Sequence, residues 1–140
     1  MNRPAPVTFA TALMWIGAVI SGLLAITSFL AMGKVKEVAA DLGLTTQADI
    51  DGLKTALMIA GIVLLIVAAI DVLFATRIGR GGRTARLIYT ILGGLGALAG
   101  ISSAIATHQS GHWLTAVLPL IVIALLWLPA SSKQFFDQAR

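Results

Sequence analysis

The chain has 140 residues, of which 58% are hydrophobic and only 11% are charged, and its formal net charge is +4 at pH 7. A soluble domain carries charge at about a quarter of its positions, so this composition excludes an ordinary water-soluble globular domain. The absence of cysteine excludes disulfides, thiolate nucleophiles and thiolate metal ligands. The length allows one domain. We therefore expect residues 1–140 to form a single membrane domain.

Four apolar runs match the length that a helix needs to cross a bilayer, which is about 20 residues. They are residues 7–32 and 87–107, which contain no charge, residues 55–76, which contain one, and residues 113–128, which have Trp113 and Trp127 at their ends like an aromatic belt. The runs are continuous rather than alternating, which favours helices over strands. The predicted fold class is therefore all-α, a four-helix transmembrane bundle with up-down-up-down topology.

The segment between the first two runs, residues 33–54, has helical features of its own. Val35, Val38 and Leu42 keep a helical spacing, and Gly43 stands where a helix C′ glycine belongs. Thr46, three residues before an aspartate, resembles a capping box. We expect helices 1 and 2 to extend as a hairpin outside the membrane; a solvated loop is the alternative.

The distribution of Lys and Arg predicts the orientation. Seven of the ten basic residues lie in the N-terminal segment, in residues 77–86 and in the C-terminal tail, and four spans would place these three segments on one side. An excess of Lys and Arg marks the cytoplasmic side. The sequence therefore predicts a multi-pass protein of the plasma membrane with both termini in the cytoplasm.

Residues 77–86, RIGRGGRTAR, contain four arginines at intervals of three: Arg77, Arg80, Arg83 and Arg86. The segment lacks the Lys-Ser/Thr pair of a Walker A loop and the interleaved aromatics of a single-stranded nucleic-acid site. We therefore expect no nucleic-acid partner. The four arginines are predicted to determine topology and to attract anionic lipids of the inner leaflet, at about 1 kcal/mol for each basic residue.

Small residues follow one another in the third run, in GGLGALAG at residues 93–100. A dinucleotide-binding GxGxxG must follow a strand and open a helix, whereas this stretch lies inside an apolar run. Small residues instead allow helices to approach closely in lipid. The predicted helix-packing residues are Gly93, Gly96, Ala97, Gly100 and Ala104. Packing within the bundle and self-association between copies are both open.

Asp71 is the one ionisable residue inside a predicted span, and such residues are candidates for function by default. It precedes Arg77 by six residues, which is about 9 Å along a helix, and thus lies near the cytoplasmic boundary. An ion pair with Arg86, or hydrogen bonds to Thr8 or Thr11, would be a structural role. Coupling to a proton or cation is the alternative.

The fourth run contains Pro119, which is expected to bend its helix, and Pro129 is expected to end it. A short tail helix capped by Ser131 or Ser132 should then place Phe135 and Phe136 in the inner membrane interface.

No constellation typical of an enzyme appears in the sequence. His108 and His112 have the i, i+4 spacing of a metal pair, but they stand in a context typical of an outer turn, without a nearby carboxylate. There is no HExxH motif and no pair of carboxylates in a span. We expect no catalysis, no metal and no cofactor.

Two motifs, GRGGRTARLIYTILGGLG and LLWLPASSKQFF, resemble those of uncharacterised small four-helix integral membrane proteins of actinobacteria. The resemblance covers mainly residues 77–135. It implies a four-helix membrane fold, and it supplies no activity or functional residues. The chain does not match small multidrug transporters. That family depends on a membrane-embedded glutamate in its first helix, and residues 7–32 contain no carboxylate.

Two functions are compatible with these features. The first is a non-catalytic accessory or scaffold subunit that packs with itself, as a homo-oligomer, or with a larger membrane complex. The second is a small oligomeric transporter or channel that uses Asp71, with a set of span hydroxyls as a further part of its path: Ser21, Thr27, Ser28, Ser102 and Ser103. A path requires these polar side chains to converge on one cavity, whereas a scaffold allows each to be satisfied within its own helix.

Overall fold

A computed structural model describes residues 2–107 and 111–138, and the regular elements of these residues are all α-helices. In chain order they are α1 (Ala5–Gly33), α2 (Val35–Asp41), α3 (Gln47–Gly79), α4 (Arg83–Thr107), α5 (Gly111–Trp127) and α6 (Ala130–Gln138). Among the described residues, α1, α3 and α4 are long and apolar enough to cross a membrane. A fourth span results if α5 and α6, which meet at a bend of 69°, are counted as one. The chain is thus an all-helical protein with three or four candidate membrane spans.

The helix α3 begins well before the apolar run that predicted it. Its start is fixed by Thr46, whose hydroxyl oxygen accepts a hydrogen bond of 3.1 Å from the backbone N–H of Asp49. This bond satisfies one of the donors that the first turn of a helix leaves unpaired. In the same turn, the Gln47 amide donates to the Asp51 carboxylate at 3.0 Å. The capping role predicted for Thr46 is confirmed, and it adds two polar turns to the apolar span.

The chain between α1 and α3 folds into a helix with a defined end. Lys34 interrupts the helix after α1, and α2 then ends at Asp41, two residues before Gly43, whose φ of 72° lies in the left-handed region. The N–H of Gly43 donates to the Ala40 carbonyl at 3.0 Å, and the N–H of Leu44 donates to the Ala39 carbonyl at 2.8 Å. These two bonds form a Schellman motif. The prediction of a C′ glycine at residue 43 is confirmed.

The turn between α3 and α4 has the same construction. The N–H of Gly81 donates to the Ile78 carbonyl at 2.9 Å, and that of Gly82 donates to the Arg77 carbonyl at 3.0 Å. Gly81 has a φ of 82°, which disfavours any residue with a Cβ atom. A Cβ atom on Gly82 would lie 2.9 Å from the Arg77 carbonyl oxygen. Gly81 and Gly82 of the GRGGR segment are therefore both required by the geometry of a tight turn.

The chain divides into two compact units, the first of which contains residues 1–15 and 72–140. The buried core of this unit draws on the start of α1, the end of α3, and the helices α5 and α6. Its members are Val7, Ala10, Met14, Phe74, Ala75, Ile78, Val122, Leu126, Phe135 and Phe136. The rings of Phe74 and Tyr89 meet edge to face, with centroids 5.6 Å apart, so α4 also contributes to this unit.

The tail helix α6 exists, but its aromatic residues do not lie where the sequence predicted. Phe135 and Phe136 are buried in the core of the first unit rather than dipped into the lipid interface. Neither serine supplies a helix cap by a described bond; the Ser132 hydroxyl donates to the Leu125 carbonyl at 2.9 Å. That bond ties α6 to the end of α5. The bend after Pro129 turns the apolar side of α6 onto the other helices.

The second unit, residues 16–71, contains the rest of α1, the helix α2 and most of α3. In this unit Gly61 is buried. A Cβ atom at that position would lie 2.8 Å from the ring of Phe29. The helices α1 and α3 therefore approach closely at this point, where a glycine leaves space for an aromatic ring.

Candidate functional site

Arg86 is the most unusual side chain in the first unit, because it is a charged residue that is only 7% exposed. It belongs to the first turns of α4. Its guanidinium carbon lies 3.7 Å from the ring centroid of Trp127, at the end of α5, and 4.6 Å from that of Phe136, on α6. Such cation–π contacts are worth about 0.5–2 kcal/mol, and the larger values apply where water is excluded.

Hydrogen bonds hold the indole of Trp127 in place. Its ring N–H donates to the Thr90 hydroxyl at 2.8 Å, and that hydroxyl donates to the Arg86 carbonyl at 2.8 Å. Thr90 thus connects the aromatic ring to the backbone of the residue on which the ring stacks. We refer to Arg86, Thr90, Trp127 and Phe136 as the Arg86 cluster.

Two of the nitrogen atoms of the Arg86 side chain have no hydrogen-bond partner among the described residues. They are Nε and Nη2, and both are buried. These two atoms lie on the same edge of the planar guanidinium, the edge that binds carboxylates and phosphates through two parallel hydrogen bonds. A buried donor without an acceptor costs about 1–3 kcal/mol, and more when it is charged.

Arg83, one turn earlier on α4, has its partners within the chain. Its Nε atom donates to the Phe136 carbonyl at 2.7 Å, and its Nη2 atom pairs with the Asp137 carboxylate. The side chains of this ion pair are 49% and 70% exposed, so the pair adds at most about 1 kcal/mol. Arg83 therefore ties α6 to the start of α4, and it differs from Arg86 in having acceptors.

The two other arginines of the turn are exposed to the surroundings of the protein. Arg77 lies in the last turn of α3 and Arg80 lies in the turn itself. The guanidinium of Arg3, in the N-terminal segment, lies against Gly79. The central carbon of this guanidinium is 3.1 Å from the position that a Cβ atom on Gly79 would take. Within the first unit, the N-terminal segment and the α3–α4 turn thus lie together, and Arg83 joins the tail to them.

The predicted helix-packing residues of α4 do not all face the same surroundings. Ala97, Gly100 and Ala104 are buried, and α4 packs against α5. A Cβ atom on Gly93 would lie 3.4 Å from Ile123 of α5, whereas one on Gly96 would find no atom within 4 Å. A role in self-association stays a prediction for this set.

Asp71 belongs to the second unit, where it is half-buried. One carboxylate oxygen lies 3.6 Å from the position that a Cβ atom of Gly17 would take, so the carboxylate rests on α1. The described residues of this unit provide it with no hydrogen bond or ion pair. Thr8 donates to the Pro4 carbonyl, and Thr11 donates to carbonyls of its own helix. The predicted pair with Arg86 stays a prediction.

The polar side chains that a transport path would need are largely bonded within their own helices. The hydroxyls of Thr27 and Ser28 both donate to the Leu24 carbonyl at 2.9 Å. The Ser102 hydroxyl donates to the Leu98 carbonyl at 2.9 Å. Each of these groups is satisfied three or four residues back along its own helix.

A cleft of about 260 Å³ lies at the end of the first unit that carries α6. It is lined by Asn2, Pro4, Ser131, Gln134, Phe135 and Gln138. The polar residues of the predicted spans do not contribute to it. Its amide and hydroxyl groups could hold a polar headgroup or water, but they form no nucleophile–base pair of the kind that catalysis needs.

The described residues contain no group of three or more His, Asp or Glu side chains that could hold a metal ion. His108 and the side chain of His112, whose spacing resembles that of a metal pair, lie outside the described residues.

Comparison of the chain with protein-family models, with curated proteins and with solved structures gave no match. Composition and structure alone therefore define the class, which is that of an α-helical membrane protein with several candidate spans.

The Arg86 cluster was not predicted from the sequence. Its members come from α4, α5 and α6, and only the packing of these helices brings them together. A partial signal was available, because an arginine in the first turn of one span and a tryptophan at the end of the next one belong to the same depth in the membrane.

Proposed function

We propose that the chain is a non-catalytic accessory or scaffold subunit of the plasma membrane, which packs with itself or with a larger membrane complex. Its proposed arrangement is a four-helix, up-down-up-down bundle with both termini in the cytoplasm. The helix α2 and the first turns of α3 then form a hairpin on the outer side. The relation to small actinobacterial membrane proteins belongs to the same proposal.

The observation that carries this proposal is the local bonding of the polar groups in the spans. Thr27, Ser28 and Ser102 donate to carbonyls of their own helices, so these hydroxyls do not need a water-filled path. A helix whose polar groups are satisfied internally can present an apolar surface to lipid or to another helix. Large parts of α1 and α3 present such a surface, with exposed Val, Ile, Leu and Phe side chains.

The test is to isolate the tagged protein at its native level in mild detergent or nanodiscs and to measure the composition and native mass of what is recovered. We expect recovery at a fixed stoichiometry with further copies or with a larger membrane protein. Recovery of the protein as a monomer without a partner, at both low and high detergent concentration, would contradict the proposal.

The alternative is a small oligomeric transporter or channel that uses Asp71. It is favoured by one observation, the half-buried carboxylate that lies on Gly17 without a hydrogen bond within its unit. In this case Asp71→Asn would abolish proton or cation flux in liposomes. Ser102→Ala, which removes a hydroxyl bonded to its own helix, would leave the flux unchanged. No flux with the wild type would exclude the alternative.

The predicted attraction of Arg77, Arg80, Arg83 and Arg86 to anionic lipid belongs to either function. The four arginines are expected to contribute differently to this attraction, because their surroundings differ. Arg77 and Arg80 are exposed and act as charges at the membrane surface, whereas Arg83 is paired with Asp137.

A further inference from the structure

We propose that Arg86 binds one phosphate oxyanion through its Nε and Nη2 atoms, at the membrane surface, between the ends of α4, α5 and α6. This proposal goes beyond the subunit role and does not depend on it. It requires only that α4 crosses a membrane with Arg86 near one surface. It also differs from a diffuse attraction of four arginines to anionic lipid, because it assigns the binding to one side chain.

The first support is the geometry of the guanidinium. The guanidinium carbon lies over the rings of Trp127 and Phe136, 3.7 and 4.6 Å from their centroids. Stacking of this kind orients a guanidinium but leaves the hydrogen atoms in its plane available for bonding. The two atoms that have no partner among the described residues, Nε and Nη2, form one edge of that plane. This edge matches two oxygen atoms of a phosphate group.

The second support is the charge around the cluster. The acidic residue of α6, Asp137, forms its ion pair with Arg83, and its charge also acts on Arg86 without a hydrogen bond to it. The first three residues of α4, which precede Arg86, have backbone N–H groups without helical acceptors and lie at the positive end of the helix dipole. An anion placed beside Arg86 is therefore favoured by the helix as well as by the side chain.

The third support is the depth of the cluster. Arg83 begins α4 and Arg86 lies one turn inside it, while Trp127 ends α5. Tryptophan at the end of a span is typical of the headgroup level of a bilayer. Phosphate groups are the anions found at this depth. A lipid headgroup and free inorganic phosphate offer the same chemistry, and the experiment separates these two sources.

Arg86 Nε and Nη2 are buried, so an anion can reach them only if part of the packing around Arg86 moves, and this packing includes the fully buried Phe136 of α6. This helix is held by the exposed Arg83–Asp137 pair, by the bond from Arg83 Nε to the Phe136 carbonyl, and by the bond from Ser132 to Leu125. A small shift of α6 would open the edge of the guanidinium to an anion while Trp127 keeps its stacking contact.

The fluorescence of Trp127 reports on the site, since its ring contacts Arg86. The chain has three tryptophans, so Trp15→Phe with Trp113→Phe leaves Trp127 as the only one. The full chain with these two changes is placed in nanodiscs of phosphatidylcholine with increasing phosphatidylglycerol. In a second arm, inorganic phosphate is added to nanodiscs of phosphatidylcholine alone. Native mass spectrometry of the same samples counts the retained lipids.

We expect Trp127 emission to change with phosphatidylglycerol and to saturate as one lipid is retained. Arg86→Gln should weaken this response about tenfold or more, and Arg86→Lys should weaken it as well, because lysine keeps the charge but lacks the two-pronged edge. Arg80→Gln, which removes an exposed charge of the same turn, is the comparison variant and should weaken the response by no more than about fivefold, the share of one diffuse charge. A response to inorganic phosphate that is also lost in Arg86→Gln would assign the site to free phosphate.

Equal weakening in Arg86→Gln and Arg80→Gln would overturn the proposal and leave only diffuse attraction. So would a response that Arg86→Gln and Arg86→Lys both preserve. The circular dichroism of each variant checks that it folds, and Arg86→Lys decides the matter if Arg86→Gln does not fold. The subunit role is tested separately by the native mass of the complex, so failure of one proposal is distinguishable from failure of the other.

Discussion

At the scale of single residues, glycine has several distinct roles in this chain. Gly81 provides a positive φ in the turn after α3. Gly61 leaves space for the ring of Phe29 in the second unit. Gly94, in the middle of α4, has no atom within 4 Å of the position that a Cβ atom would take. A count of glycines in the sequence does not distinguish these roles, since each depends on local backbone geometry or on a neighbouring helix.

We expect Gly81→Ala to lower the free energy of unfolding by about 1–2 kcal/mol, because alanine is strained in the left-handed region. Gly94→Ala is the matched control. It should be neutral or slightly stabilising, since alanine is a better helix former and no clash arises. The thermal unfolding of both variants in the same detergent measures the difference. Equal transition temperatures would show that the turn does not adopt this φ.

At the scale of elements, α6 differs most from what the sequence predicted. Its existence and approximate position followed from Pro129 and the polar residues after it. The direction of its aromatic residues did not follow, because an amphipathic helix beside a membrane can turn its apolar side to lipid or to protein with the same sequence pattern. The structure places Phe135 and Phe136 against the helices of the first unit.

We expect Phe136→Ala to release α6, since removing a buried phenylalanine costs about 3–5 kcal/mol. Gln134→Ala, on the exposed side of the same helix, is the control. Hydrogen exchange measured by mass spectrometry should become faster in residues 130–138 of the first variant, and should stay unchanged in the second. Exchange that is equally fast in the wild type would mean that α6 is not packed on the protein.

The predicted spans and the described helices agree where an apolar run alone defines a helix. They differ at the ends, as at the start of α3, where the cap at Thr46 and the polar turns after it extend the helix beyond the apolar run. The Arg86 cluster shows the limit of prediction from the sequence. Periodicity identified Arg86 as one of four similar arginines, but only tertiary packing separates it from Arg83, which has an acceptor on α6.

At the scale of the whole molecule, the topology is the central prediction. Arg3 lies against Gly79, and Arg83 is paired with Asp137. These contacts within the first unit place the N-terminal segment, the α3–α4 turn and α6 near one another. The distribution of basic residues predicts that this end faces the cytoplasm.

The absence of cysteine allows this topology to be measured with single labels. In intact cells, we expect Asn2→Cys and Gln134→Cys not to react with a membrane-impermeant maleimide. Both should react once the membrane has been permeabilised. Thr45→Cys, between α2 and α3, should react from outside without opening. Labelling of residues 2 and 45 from the same side would contradict the predicted topology.

The contact between α4 and α6 also has a consequence for biosynthesis. Arg83 and Phe136 are 53 residues apart, and a ribosome adds about 5–20 residues per second. The start of α4 is therefore exposed for about 3–10 s before the helix that covers it has been made. During this interval Arg83 and Arg86 lack the contacts that Trp127, Phe136 and Asp137 supply in the finished fold. The charged groups of both arginines are then open to water and to lipid headgroups until α6 has been made and packs against them.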